Sequence, residues 1–230
     1  LGRKKQSVDN KQFRRKPVVA RTENQKTYIK AILKSDVIIC EGPAGTGKTN
    51  VAIGMAMHLL DKKVVEKIVI ARPVVEAGED LGYLPGDHND KLDPYVRPIF
   101  DELQQYASLS EIATLKNSLT LEIVPIGFMR GRTFKNSFIL VDECQNAQYD
   151  QIRMILTRLG ENSKMVMTGD ITQSDLDKRD RGGFRYVFDL FSKYEEYLDD
   201  SVSCVRLYKQ DIVRHHLVSK MLDIWGKQVD

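Results

Sequence analysis

The sequence predicts an α/β fold with a mostly parallel sheet covered by helices on both faces. Short runs such as Val37–Cys40, Ile68–Ala71 and Phe138–Val141 are wholly apolar and too short for anything but buried strands. They alternate with longer segments whose apolar residues recur at helical spacing, as a doubly covered parallel sheet requires. One strand-to-helix junction, from Gly42 to Thr49, is also rich in glycine.

Taken in order, Thr22 to Gln25 opens a helix that runs to about Lys34, and Val37–Cys40 follows as a strand. The helix after the glycine-rich junction runs to about Leu60, with Val51, Met55, His58 and Leu59 at helical spacing, and Ile68–Ala71 is the next strand. Residues 73–93 carry the glycine, proline and aspartate of a long ordered loop, a class of segment that often has a function. Helices are expected from about Pro94 to Gln105 and near Ser110 to Lys116, with strands at Leu121–Pro125 and Phe138–Val141. A helix from about Tyr149 to Leu159, a strand at Lys164–Thr168, a helix near Phe184–Phe191, a strand at Ser203–Leu207 and a helix from Asp211 to about Trp225 complete the pattern.

Composition bounds the function classes. With 230 residues, 42% hydrophobic and 29% charged, the chain suits one α/β domain with appended segments. Its net charge is +3, yet residues 1–16 hold seven basic side chains against Asp9 alone, so the remainder is mildly acidic. The division expected is a flexible basic arm over 1–16 and a domain over 17–230. Such an arm suits nucleic-acid phosphates and also serves as a solubilising tail. Cys40, Cys144 and Cys204 are odd in number and far apart, which indicates neither a disulfide framework nor a zinc site and fits a reducing cytoplasm. No run approaches a membrane span and the first residues are charged, so membrane attachment and export are not expected. The chain begins at Leu1 rather than Met, as a trimmed start would give.

Gly42, Pro43, Ala44, Gly45, Thr46, Gly47, Lys48 and Thr49, followed by Asn50, match G-x-x-x-x-G-K-[ST] between a buried strand and an amphipathic helix. Glycines let the backbone wrap a triphosphate with its N–H groups turned inward. Lys48 adds a point charge for the β and γ phosphates, Thr49 offers a hydroxyl to magnesium, and the helix start adds partial positive charge. These residues predict a P-loop NTPase holding ATP and Mg2+. The metal also needs an acid at a strand's carboxyl end, and Phe138–Val141 delivers Asp142 there, with Glu143 next to it as the base for an attacking water.

Further segments carry a resemblance. Asp142-Glu-Cys-Gln145 is similar to the acidic box of superfamily 1 helicases, and Thr168-Gly-Asp170-Ile-Thr-Gln173 to their next motif, which implies that Gln173 contacts the γ-phosphate. Gln25 resembles their adenine-reading glutamine. The phrases from Ala71 to Gly78, Leu81 to Gly86, Asp93 to Pro98, Phe128 to Thr133, Asp142 to Asn146 and Val213 to His215 resemble the PhoH family over about residues 18–225. This implies a RecA-like ATPase, in stand-alone form without the ribonuclease domain of some relatives, with roles in RNA metabolism and a name tied to phosphate starvation. It also implies a homo-oligomer, a hexamer by resemblance, binding RNA or other single-stranded nucleic acid. Cys144 and His216 depart from the family's usual alanine and proline.

Several residues carry two readings. Gln25 reads adenine or completes a capping box with Thr22. Arg72 meets nucleic-acid phosphate or a nearby carboxylate. Arg130 and Arg132 grip phosphates of nucleic acid or of a neighbour's ATP, or form a solvated basic loop. Arg214 is an arginine finger or a structural ion-pair partner. Tyr83, Tyr95 and Phe128 stack on bases or anchor loops, and the adjacent His215 and His216 read as surface or packing residues. Three functions compete: an RNA-coupled ATPase, a nucleotide-dependent assembly switch without motor activity, and a small-molecule kinase. The third is disfavoured because Glu143 beside Asp142 suits attack by water.

Overall fold

The apolar runs alternate between two layers of core, and that alternation builds the molecule. In the computed structural model, which describes residues 16–73, 88–173, 182–213, 221 and 224 and of 88–95 the backbone alone, the strands are β1 (Val37–Glu41), β2 (Lys67–Arg72), β3 (Leu121–Pro125), β4 (Ser137–Val141), β5 (Lys164–Gly169) and β6 (Val202–Arg206). They form one six-stranded sheet in the order β3-β2-β4-β5-β1-β6, and every pairing is parallel. Ile38, Ile70, Leu140 and Val166 point to one face and Ile39, Val69, Ile139, Met165 and Met167 to the other. Both sets are buried, which is why the strands carry no polar alternation.

The first face is covered by α1 (Glu23–Lys34), α2 (Lys48–Asp61), α3 (His88–Leu103) and α4 (Leu109–Asn117). The second is covered by α5 (Tyr149–Leu156) and α6 (Gly183–Lys193), whose Ile152, Ile155, Phe184 and Phe188 fill its core. The sequence-predicted fold class holds, with a sheet that is wholly parallel.

Three boundaries differ from the sequence reading. Helix α3 starts at His88, inside the expected loop 73–93, and takes Pro94 and Pro98 into its interior. Pro94 mimics a first-turn proline in sequence, but the chain is already helical six residues earlier, and each proline removes one N–H from the ladder and crowds the carbonyl four residues back. Helix α5 ends at Leu156, because Thr157 to Gly160 turns to place Leu159 beside Phe134. The helix expected from Asp211 does not begin there: Lys209–Asp211 is a single 3-10 turn, with Ile212 extended after it. Residues 74–87, 174–181 and 214–220 lie outside the described residues, and with them Tyr83, Arg214, His215 and His216.

Candidate functional site

The glycine-rich loop leaves β1 at its carboxyl end and enters α2 at Lys48. Gly45 and Gly47 take φ values of 82° and 86°, where a side chain costs about 1–2 kcal/mol. A Cβ on Gly42 would lie 2.6 Å from the Leu207 carbonyl oxygen, and one on Gly47 would lie 2.8 Å from Gln25 Nε2. The cradle is therefore closed from outside by two other segments, and within the fold the Gly42 amide donates to the Gly169 carbonyl at 3.1 Å and the Thr46 amide to the Pro43 carbonyl at 3.4 Å. The chain beyond β6 forms one wall: Leu207 donates to the Glu41 carbonyl at 2.8 Å and Val213 to the Gly45 carbonyl at 3.1 Å. Asp211 braces this wall by accepting from Asn24 Nδ2 and the Tyr208 amide. Burial pushes its carboxyl up, but hydrogen bonds from Thr22, the Tyr208 amide and Asn24 outweigh that and hold it below its ordinary value.

Gln25 forms the other wall. Its side chain is buried, accepts from the Arg21 amide at 2.8 Å and donates to the Thr46 carbonyl at 2.9 Å. Thr22 caps the Gln25 amide at 3.2 Å, so half of the expected capping box forms, with Arg21 in place of the reciprocal partner. Within the loop, Thr46 Oγ1 donates to the Pro43 carbonyl at 2.8 Å, and Ala44 lies exposed at its turn. Lys48 Nζ rests on the carbonyls of Gly42 and Pro43 at 2.6 and 3.0 Å.

Opposite the loop, β5 stands between β1 and β4, and the ends of all three strands meet. Asp142 is 4% exposed, and its Oδ1 accepts from Thr49 Oγ1 at 2.8 Å and from Thr168 Oγ1 at 2.6 Å. Glu143 takes the left-handed conformation with φ 58° and ψ 40°, which turns its half-exposed side chain out beside Asp142. Gln145 holds it there, donating to Glu143 Oε2 at 2.5 Å while its own Oε1 accepts from the Asp170 amide at 3.0 Å. Asp170 Oδ1 accepts from the Thr172 amide and hydroxyl, whereas the buried Oδ2 has no hydrogen-bond partner among the described residues. Burial pushes the nearby Glu41 carboxyl up, against the pull of Arg206, its ion-pair partner.

The arginines and two other expected residues separate. Arg72 lies 3.6 Å from Asp142 and 3.4 Å from Glu143, so its carboxylate reading is the one this geometry carries. Arg132 pairs with Glu122 at 2.7 Å and stacks over Phe134, which commits its guanidinium to β3 rather than to the loop. Arg130 is exposed after the 3-10 turn Ile126–Met129. Asn50 is turned away from the loop, donating to Glu102 at 2.6 Å and Gln105 at 2.9 Å and accepting from Tyr106 at 2.8 Å. Gln173 is exposed, its amide bonded to the Asp170 carbonyl. Sequence reasoning missed Thr168 as a second hydroxyl on Asp142 and Gln145 as the link from Glu143 to β5. Burial pushes the thiols of Cys40 and Cys144 up, so both are packing groups.

This arrangement can receive phosphate on inward N–H groups and hold a hard divalent cation on one hydroxyl and one carboxylate. The donors are all oxygen, the chemistry that suits Mg2+, which typically takes one or two carboxylates and completes its shell with phosphate and water. Among the described residues no helix is long and apolar enough to cross a membrane.

The sequence profile of a family described as "PhoH-like protein" matches residues 17–226. The PhoH-like protein of Mycobacterium tuberculosis H37Rv is 43% identical over 214 residues, covering 93% of this chain and 59% of that protein. Protein PhoH of Escherichia coli K12 is 42% identical over 212 residues, covering 91% and 58%. This chain therefore spans about three-fifths of the length of these relatives. Among solved structures, the UvsW helicase from bacteriophage T4 aligns with a TM-score of 0.49 at 15% identity, over 81% of this chain and 60% of that one.

Proposed function

The chain belongs to the PhoH family, and on that basis we propose that it binds and hydrolyses ATP in the cytoplasm, with turnover coupled to RNA or another single-stranded nucleic acid. Residues 17–230 are the ATPase unit in this reading, and 1–16 are a basic arm that reaches further phosphates. The observation that carries it is the convergence, across three adjacent strand ends, of the Gly42–Thr49 cradle, the Thr49 and Asp142 oxygens 2.8 Å apart, and Glu143 turned out beside them.

In this mechanism the loop amides and the start of α2 take the phosphates, and Lys48 exchanges the Gly42 and Pro43 carbonyls for β and γ oxygens. Thr49 and Asp142 would hold Mg2+, which when bound would supply positive charge against the negative charge of the phosphates. Glu143 orients the attacking water and takes its proton, with Gln145 fixing the carboxylate. Arg72 keeps two neighbouring carboxylates together. Gln173 contacts the γ-phosphate and Gln25 meets the adenine. Arg214, directly after the anchored Val213, is the arginine that answers transition-state charge.

The decisive experiment measures ATP turnover with and without RNA and DNA, alongside mass in solution. Stimulated turnover supports the reading, turnover indifferent to nucleic acid favours an assembly switch, and absence of both binding and turnover ends it. Deleting residues 1–16 should flatten the salt dependence of binding by about 0.7 in log-log slope for each phosphate that the arm no longer neutralises. The working unit proposed is a homo-oligomer, a hexamer by family resemblance, with Arg214 or Arg130 delivered across a subunit interface; Arg132, held by Glu122 and Phe134, is no longer a candidate. Mixing Lys48→Ala with Arg214→Ala subunits should then restore part of the activity each lacks. A monomer fully active at working concentration rules that assembly out.

A further inference from the structure

We propose that the rim formed by the first turns of α5 and α6 and the 3-10 turn Ile126–Met129 is a stacking platform for single-stranded nucleic acid, mechanically joined to Glu143. The proposal rests on the reading of the chain as a nucleic-acid-coupled ATPase and names where the strand sits. Tyr149 and Tyr186 lie edge to face, with ring centroids 5.3 Å apart and planes at 77°. Each steadies the other while remaining 44% and 52% exposed, so both present rigid aromatic surface to solvent. Phe128, on the adjacent turn, is 69% exposed although its neighbours Ile126 and Met129 are buried under α5.

Guanidiniums interleave with these rings. Arg130 follows Phe128 by two residues, Arg153 lies one turn beyond Tyr149, and Arg185 precedes Tyr186; all three are exposed, and none has a carboxylate partner among the described residues. Asp150 and Asp189 on the same helices leave the rim only mildly positive, so stacking rather than phosphate charge carries the affinity. Stacking tolerates any base, because every base has a π-face. The exposed large apolar residues of these three elements are all aromatic, whereas Leu33, Val64 and Leu119 are exposed at the other end of the sheet. A protein-binding patch would need an apolar centre closed off from water, which the rim does not provide.

The platform is packed against the chemistry. A Cβ on Gly183 would lie 2.8 Å from the Tyr149 amide nitrogen and 3.0 Å from its Cα, so α6 rests directly on the start of α5. Phe184, the next residue, presses on Gly169, where a Cβ would meet its ring at 2.6 Å and Gln145 Oε1 at 3.0 Å. Gln145 in turn holds Glu143. A strand that wedges the tyrosine pair therefore displaces α6, then Gln145, then the carboxylate, and turnover answers to occupancy.

The test measures fluorescence polarisation of a labelled oligouridylate and the matching oligothymidylate, together with ATP turnover and solution mass. Y149A/Y186A should weaken binding of the preferred oligonucleotide roughly 10-fold or more per ring and remove stimulation, leaving basal hydrolysis and mass unchanged. Y149F/Y186F should behave as the parent protein, and the stronger of the two oligonucleotides names the sugar recognised. Arg153→Ala or Arg185→Ala should each lower the log-log salt slope by about 0.7. Parental binding by the alanine pair overturns the platform, as does a change in mass with binding intact, or binding of neither oligonucleotide by the parent. Ring-dependent binding in a protein that never hydrolyses ATP would leave the platform standing and end the ATPase reading.

Discussion

The two ends of the sheet use the same unusual backbone conformation for different purposes. At the amino-terminal end, Lys63, Leu119, Asn136, Asn162 and Asp199 adopt positive φ where a helix or loop reverses into a strand. Polar groups there are satisfied within the fold: Ser163 Oγ accepts from the Ser137 amide and donates to the Phe134 carbonyl, and Lys164 donates to the Ser35 carbonyl. At the carboxyl-terminal end, Glu143 holds positive φ two residues past the end of β4, and Asp170 Oδ2 is buried without a partner among the described residues. Reversal into a strand accounts for the first set, Asp199 included, whereas Glu143 takes the same conformation where the chain leaves β4 beside the glycine-rich loop, and such positions cluster at functional sites. One end is built for closure and the other for exchange of partners.

If the ends differ in this way, substitutions should separate them. The largest effect is expected at the exchanging end. Lys48→Ala should abolish ATP binding, measured by titration with a fluorescent analogue, whereas Glu143→Gln should keep binding and lower turnover by about 10²–10⁴. Normal hydrolysis by the glutamine variant would remove Glu143 from its role. At the closing end, Ser163→Ala strands the buried Ser137 amide and should cost about 1–3 kcal/mol in urea unfolding, with unchanged turnover per folded molecule. Leu119→Gly relieves a left-handed leucine and should stabilise by about 1 kcal/mol, again without effect on turnover; a loss of activity would mean the two ends are not separable.

The smallest effect is in pH dependence. The Asp211 carboxyl is held below its ordinary 3.8, so its contribution to stability is present above that value and is lost as pH falls through the lowered one. Asp211→Asn should be less stable at neutral pH and should lack that part of the acid-side decline, as thermal melts across the acid range would record. An identical acid limb in both proteins would remove Asp211 from its bracing role.

What can be read in sequence follows the same division. Strands, helices and the glycine-rich junction are local patterns, and Asp142 is legible because a run of apolar residues delivers it to a strand end. Contacts between distant segments leave no such trace. Nothing near Thr168 announces its bond to Asp142, nothing near Asn50 tells that Glu102 and Gln105 take its amide, and for Arg72 the sequence offers a carboxylate as one of two readings without saying which carboxylates it meets. Pro94 misleads because a proline at a helix start and one inside a helix look alike without the preceding turn's backbone.

The wall that closes the phosphate cradle is made by residues 207–213, whereas the cradle itself is residues 42–49. During synthesis the amino-terminal strands emerge first, and a segment more than 150 residues downstream must arrive before Gly42 and Gly45 acquire their outer contacts. A nascent chain thus carries an unfinished cradle until the segment after β6, the last of the described strands and one edge of the sheet, has left the ribosome. Premature termination upstream of Leu207 yields a polypeptide that contains the whole phosphate-binding motif but not the buttress that shapes it.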